Sequence, residues 1–154
     1  ALAACNFPDE LLNDPVLRDE TTGGLASRVS IHPKVRKALF DRQHIFATQS
    51  AGAVLDGRDI GTVIAPDADV KLFVAASVQA RAERRWREMQ AAHQGINLET
   101  ITADLAARDE RDRNRTTAPL AIAPDAVLLD TSHLNREQAI GAAIALVKAA
   151  IARN

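Results

Sequence analysis

Residues 53–64 read AVLDGRDIGTVI, an apolar run followed by charged residues and two glycines. The run at 53–55 predicts a buried strand, too short and too continuous to show alternation. In α/β folds, ligands bind where such strands end. At this end, Gly57 and Gly61 would let the backbone approach a ligand closely. The stretch therefore predicts a binding site at a strand end.

The charged side chains of this stretch suit a phosphate-bearing ligand. Asp56, at the strand end, is placed to act on a magnesium ion through water. Arg58 offers a fork that matches phosphate, and Asp59 can accept a hydrogen bond from an exocyclic amine or a hydroxyl. An Asp-Gly turn alone is a common loop. The prediction therefore depends on the continuation to Gly61 and Thr62 and on a second motif.

The second motif, residues 108–115, reads RDERDRNR. In a helix, Arg108, Asp112 and Arg115 would share one face, with Arg111 beside them. Such a face suits an anion held between the arginines and a sugar hydroxyl near the aspartate. The alternative is an exposed helix end whose Asp–Arg pairs contribute about 0.2–0.5 kcal/mol each.

The overall composition is that of one globular domain. The chain has 154 residues, 47% of them hydrophobic and 25% charged, which is ordinary for a folded protein. A net charge of −1 gives no overall field that would attract nucleic acid. Arginine makes up 15 of the 19 basic residues, and eight arginines lie within residues 81–115. That preference favours bidentate recognition of phosphate or carboxylate.

The scarcity of cysteine bears on disulfides, on zinc binding and on the cellular compartment. The lone Cys5 excludes an internal disulfide and fits a reducing compartment, so we expect a cytoplasmic location. One cysteine and four scattered histidines argue against a structural zinc site. No apolar run approaches the ~20 residues of a membrane helix, and a membrane partner is not expected.

Local patterns predict the order of secondary structure. Strands are predicted at 53–55, 70–75 and 126–130, and helices at 21–31, 33–48, 77–94, 97–115 and 135–151. Ser77, Asn97 and Asn135 are placed to cap helices, the last in a capping box with Gln138. Ile140, Ile144, Val147 and Ile151 form an apolar stripe on the closing helix. Strands separated by long helical connections predict an α/β fold with a parallel sheet.

Several separated motifs resemble those of bacterial cytidylate kinases. They agree in order and spacing from about Leu25 to the C-terminus: residues 54–63, 66–73, 80–85, 108–115 and 118–120. The resemblance implies a nucleoside monophosphate kinase fold, a P-loop-type parallel sheet flanked by helices. It implies one domain over 1–154, with a helical CMP-binding part at about 1–50 and a core at 51–154. A short lid would lie near 81–118.

The activity implied is transfer of the γ-phosphoryl group of ATP to CMP or dCMP, with Mg²⁺ as cofactor. Such transfer needs positioning and charge neutralisation more than covalent groups, and an arginine-rich site suits it. The partners implied are the small-molecule nucleotides ATP and CMP or dCMP, with no nucleic acid and no membrane. The complete protein is expected to be a monomer.

Seven residues match family positions that bind the acceptor nucleotide. The implied ribose contacts are Ser27, Arg108 and Asp112. The implied cytosine contacts are Arg36, Asp59 and Arg115. Arg58 is the implied contact of the CMP phosphate.

The resemblance also implies a set of residues for the transfer itself. The catalytic set is Arg58, Asp56, Arg111 and Arg84. Arg84 and Arg85 would contact ATP. Asp56 matches a Walker-B-type carboxylate that would hold the metal through water.

The sequence departs from the family at its start. Such kinases begin with a strand and a glycine-rich phosphate loop that ends in Gly-Lys-Ser/Thr. No Gly-Lys pair occurs in these residues, so the first strand and the phosphate loop are missing from this chain. We expect them to precede Ala1 in the same protein; the alternatives are supply by another chain or a decayed fragment. Because that strand is central in the family sheet, residues 1–154 alone are not expected to form a stable, active monomer.

Two other functions are compatible with parts of the sequence. A non-catalytic module could bind CMP without turnover, because the acceptor motifs are here and the phosphate loop is not. An RNA-binding domain could use the arginines of 81–115, but Trp86 is the only aromatic residue in that segment available for base stacking.

Overall fold

The computed structural model of the chain describes residues 9–18, 20–92, 97–114, 116 and 119–153. Two short 3₁₀ helices come first, at Asp9–Asn13 and Pro15–Arg18. The five α-helices and two β-strands of the described residues then follow: α1 Glu20–Val29, α2 Pro33–Ala47, β1 Leu72–Ala75, α3 Val78–Ala92, α4 Leu98–Asn114, β2 Val127–Asp130 and α5 Arg136–Ile151. A π-helical turn, Ile60–Ile64, lies between α2 and β1.

The helices begin where local capping chemistry predicts. The Ala80 N–H donates to the Ser77 hydroxyl at 3.1 Å at the start of α3. The Glu99 N–H donates to the Asn97 side chain at 2.9 Å at the start of α4. At α5, Asn135 and Gln138 form both hydrogen bonds of a capping box. These predictions are confirmed, and the helix bounds agree with prediction to within one or two residues.

The sheet is small and parallel. β1 pairs with β2 in a register that runs from Leu72 opposite Val127 to Ala75 opposite Asp130. α3 and α4 form the crossover between the two strands. Parallel strands joined through helices confirm the predicted α/β class.

The strand predicted at 53–55 is wrong. These residues have no regular structure, and the Val54 side chain is 95% exposed. An extended segment becomes a strand only when a neighbour pairs with its backbone groups, and among the described residues none lies beside 53–55. Apolar character alone therefore misidentified the local structure.

The apolar stripe of the closing helix is only partly covered. Ile140, Ile144 and Ile151 are 50%, 49% and 60% exposed. α5 forms as predicted, but its stripe is not buried by the residues that the structure describes. Within the described part of the chain, the buried apolar residues lie elsewhere: Ile64, Ala82, Ile101, Ala123 and Leu129.

The chain divides into two compact units. The first comprises Ala1–Pro66 with Arg111–Ala121, and the second comprises Asp67–Glu110 with Ile122–Asn154. The sheet and α5 belong to the second unit. The division of a single domain near residue 50 stays a prediction. No helix within the described residues combines the length and apolar character needed to cross a membrane.

Candidate functional site

A compact loop in the first unit presents Arg58 and Asp59. The chain bends at 57–59 and enters the π-helical turn, where the Asp59 carbonyl accepts from the Val63 N–H at 2.9 Å. A Cβ at Gly57 would lie 2.9 Å from Ile60 Cγ1, so a glycine lets the bend pass the Ile60 side chain. Single π turns are rare in proteins, but those that occur often lie at functional sites. No sequence pattern predicted this one.

The loop is fastened to α2 by a histidine. His44 Nδ1 lies 2.9 Å from the carbonyl oxygen of Ile64, the last residue of the π turn. A carbonyl only accepts, so Nδ1 carries the proton in this contact. The ring also stacks on Phe40, with ring centroids 5.5 Å apart. The contact joins residues 20 positions apart, so no local sequence pattern predicts it.

Arg36 and Asp59, two of the three predicted cytosine contacts, form a salt bridge. Arg36 Nη2 donates to Asp59 Oδ2, and the two side chains are only 18% and 14% exposed. Arg36 Nη1 also donates to the Ser30 carbonyl at 3.4 Å. The structure therefore brings together a forked donor and a carboxylate acceptor. The third predicted cytosine contact, Arg115, lies outside the described residues.

A second network joins three predicted acceptor contacts. Arg58 Nε donates to Asp112 Oδ2, and the Ser27 hydroxyl lies 3.4 Å from Asp112 Oδ1. The Asp112 side chain is 4% exposed, whereas Arg58 is 38% exposed. A buried carboxylate needs such partners because its charge has lost its water. The predicted phosphate contact and two predicted ribose contacts thus meet at one buried carboxylate.

A cavity of about 620 Å³ adjoins this network. Its lining comes from residues 25–32 and from the end of α4, and it includes Ser27, Arg111 and Asp112. Most of its remaining wall is apolar, including Leu25 and Val29. Such a volume is that of an ordinary small-molecule site. Predicted acceptor and catalytic residues therefore line space for a ligand.

Arg84 and Arg85, the predicted ATP contacts, lie on α3 in the second unit. The Arg84 guanidinium donates to the Thr131 carbonyl, to the Leu134 carbonyl at 3.3 Å and to the Thr131 hydroxyl at 3.3 Å. Arg85 Nη1 lies 3.7 Å from the Glu88 carboxylate. Arg84 is thus fastened to the loop after β2, a contact that sequence reasoning did not predict.

Arg108, the remaining predicted ribose contact, lies on α4 in the same unit and is partly buried. Its i, i+4 spacing to Asp112 on one continuous helix agrees with the predicted shared face. Its role as a ribose contact stays a prediction.

Asp130, the last residue of β2, has a carboxylate that accepts two hydrogen bonds. The Ser132 hydroxyl and backbone N–H donate to Asp130 Oδ1 at 2.6 and 2.8 Å. These hydrogen bonds lower the pKa of the Asp130 carboxyl below its ordinary value. The strand therefore ends in a carboxylate that stays ionised near neutral pH.

Asp56, the residue predicted to hold the metal, is not part of a cluster of candidate metal ligands among the described residues. Asp56 is exposed, and the described residues contain no cluster of three or more His, Cys, Asp or Glu side chains that could hold a metal ion. Mg²⁺ in kinase sites is bound through one or two carboxylates together with phosphate oxygens and waters. A single exposed carboxylate fits that mode of binding and does not fit an all-protein cage.

Comparisons with known proteins identify relatives of this chain. The sequence profile of the family described as "Cytidylate kinase" matches residues 4–149. The chain is 51% identical over 142 residues to the cytidylate kinase of Caulobacter sp. strain K31, covering 92% of this chain and 66% of that protein. It is 53% identical over 150 residues to the cytidylate kinase of Rhodopseudomonas palustris strain HaA2, covering 97% and 71%.

A third relative, the cytidylate kinase of Azorhizobium caulinodans, is 54% identical over 139 residues, which cover 90% of this chain and 68% of that protein. The chain thus spans about two thirds of the length of the curated relatives it matches. Identity at this level over nearly the whole chain, together with the profile match over residues 4–149, establishes that the chain belongs to the cytidylate kinase family.

Proposed function

We propose that the protein transfers the γ-phosphoryl group of ATP to CMP or dCMP, giving CDP or dCDP and ADP. The observation that carries the proposal is the buried Asp112 carboxylate with Arg58 and Ser27 on it. These side chains supply a forked cation for a phosphate and a carboxylate for a sugar hydroxyl. Membership of the cytidylate kinase family supports this reading.

Recognition of cytosine would come from the Arg36–Asp59 pair. Cytosine presents an exocyclic amine where uracil presents a carbonyl oxygen. A carboxylate accepts from the amine and repels the carbonyl. Asp59, held by Arg36 and only 14% exposed, is therefore the residue proposed to select cytosine.

The charged groups of the site neutralise one another. Arg58 is paired with Asp112, and Arg36 with Asp59. A bound nucleotide would share these partners: its phosphate with the Arg58 fork, its ribose hydroxyls with Asp112. Because the groups are already positioned, little side-chain entropy is lost on binding.

The donor side would use the remaining arginines. Arg84, Arg85 and Arg111 are proposed to neutralise charge on the phosphates during transfer. Mg²⁺, held through water by Asp56 and directly by phosphate oxygens, would add neutralising charge there. Arg108 and Arg115 complete the proposed acceptor contacts. We further propose a cytoplasmic, monomeric enzyme, on the basis of the lone Cys5 and the small-molecule substrates.

The test is a coupled ADP-release assay on the full-length protein with ATP, Mg²⁺ and either CMP, dCMP, UMP or no acceptor. We expect ADP release that depends on CMP or dCMP, and a much lower rate of ADP release with UMP. Calorimetric titration with CMP alone is the companion measurement. CMP binding without CMP-dependent ADP release would refute the kinase assignment and indicate a non-catalytic binding module.

A further inference from the structure

Arg81, near the start of α3, joins three elements of the second unit. Its Nη1 donates to Asp109 Oδ1 at 2.9 Å, and its Nη2 donates to Asp109 Oδ2 at 2.5 Å. Its Nε donates to the Ala76 carbonyl at 3.2 Å. All three nitrogens of the guanidinium thus donate to protein atoms, in the residue that follows β1 and in α4. Such a two-point fork fixes orientation as well as distance.

The pair is better shielded than ordinary helix-surface pairs. The side chains of Arg81 and Asp109 are 32% and 16% exposed. On the same helix, Arg87 and Glu83 are 69% and 42% exposed and meet through one contact of 3.4 Å. The hydrogen bonds that Arg81 donates to Asp109 raise the pKa of Arg81. The shielded pair is therefore the stronger constraint, and the exposed pair is a matched control.

The position of this pair relates it to the arginines proposed for phosphate. Arg84 and Arg85 lie three and four residues after Arg81, on the same side of α3. Arg111, the third arginine proposed for the phosphates, lies two residues after Asp109 on α4. A rotation or slide of either helix would displace these guanidinium groups, and a displacement of about 1 Å can cost roughly 10²-fold in rate.

We propose that the Arg81–Asp109 pair is a positioning device that sets the arginines of α3 and α4 for phosphoryl transfer. The inference rests on the proposed kinase function and adds two residues to it. Neither residue is a catalytic residue, because the Arg81 nitrogens and both Asp109 oxygens are directed at protein atoms. By holding these arginines in place, the pair would help to stabilise the transition state, in which the charge of the transferring group is spread over its oxygens.

Two substitutions test the device without deleting a side chain. Asp109→Asn keeps the shape but loses the charge and one acceptor. Arg81→Lys keeps the charge but loses the fork. Each is expected to lower kcat by about tenfold or more. The KM for CMP should change less than kcat does, because Ser27, Arg58 and Asp59 lie on other elements and only the proposed ribose contacts lie on α4.

The experiment measures kcat and both KM values in the full-length protein, with Glu83→Gln as the control and circular dichroism melts throughout. Fluorescence of Trp86, the single tryptophan of these residues, reports on α3 itself. The double variant Arg81→Asp with Asp109→Arg should regain part of the lost kcat.

The expected result is a fall in kcat that is larger than any rise in the KM for CMP, in both single variants and not in the control. A fall in melting temperature with kcat equal to that of Glu83→Gln would overturn the inference and leave a merely structural pair. If Asp109→Asn does not fold, Arg81→Lys decides. A wild type without CMP-dependent ADP release would instead refute the proposed function, and the inference with it.

Discussion

Selectivity for cytosine is the sharpest prediction at the scale of single residues. Asp59→Ala removes the carboxylate that would accept from the cytosine amine. A hydrogen bond to a charged group contributes about 1.5–3 kcal/mol, so kcat/KM for CMP should fall roughly 10- to 100-fold. UMP turnover should change little. The measurement is kcat/KM for both nucleotides, with the exposed Asp67→Ala as control. Equal losses on CMP and UMP would remove Asp59 from base recognition.

Arg58 is expected to matter for stability as well as for binding. Arg58→Ala leaves the Asp112 carboxylate, 4% exposed, without its guanidinium partner, and an uncompensated buried charge is strongly destabilising. The melting temperature should fall and the KM for CMP should rise. The double variant Arg58→Ala with Asp112→Asn should recover melting temperature but not CMP affinity. Recovery of both would show that Arg58 supports the fold only.

The ion pair of Lys71 with the exposed Asp125 is expected to contribute to the loss of stability at acid pH. Lys71 Nζ lies 2.5 Å from Asp125 Oδ2, and this hydrogen bond lowers the pKa of the Asp125 carboxyl. A carboxyl with a lowered pKa in the folded state stabilises the protein above its ordinary pKa, and this contribution is lost as the pH falls through the lowered value. In Asp125→Asn, the free energy of unfolding should therefore decrease less steeply as the pH falls below about 4. An unchanged acid slope, matching that of Asp67→Asn, would contradict this.

Helix starts are the elements that sequence predicts best, because a cap depends on neighbours a few residues away. The capping box of α5 illustrates this, with Asn135 and Gln138 bonded reciprocally. Asn135→Ala should lower the free energy of unfolding by about 1 kcal/mol. Gln138→Glu keeps an acceptor in the box and should be nearly neutral. Denaturant melts measure both, and equal effects would argue against the capping role.

The elements that sequence reasoning missed depend on distant partners. Residues 53–55 have strand composition, but a strand requires a neighbour. The π turn after Asp59 is fastened through His44, 20 residues earlier. The two ion pairs of the acceptor site join residues 23 and 54 positions apart. Motif resemblance selected their members, but no local pattern could show which carboxylate each arginine would meet.

At the scale of the whole molecule, apolar exposure bears on stability. Val54 is 95% exposed, and Val74 and Leu128 in the strands are 61% and 57% exposed. Residues 1–154 expressed alone are therefore expected to melt without cooperativity or to aggregate. A circular dichroism melt of that polypeptide checks this. A cooperative transition well above room temperature would contradict it.

We propose that these residues serve phosphoryl transfer to a cytidine nucleotide. The most direct test follows the label of γ-³²P-ATP in the full-length protein with Mg²⁺ and CMP, with separation of the nucleotide products. We expect labelled CDP with the wild type, and about 10- to 100-fold less labelled CDP with Asp59→Ala. Label that stays in ATP, or appears only as inorganic phosphate, would contradict it.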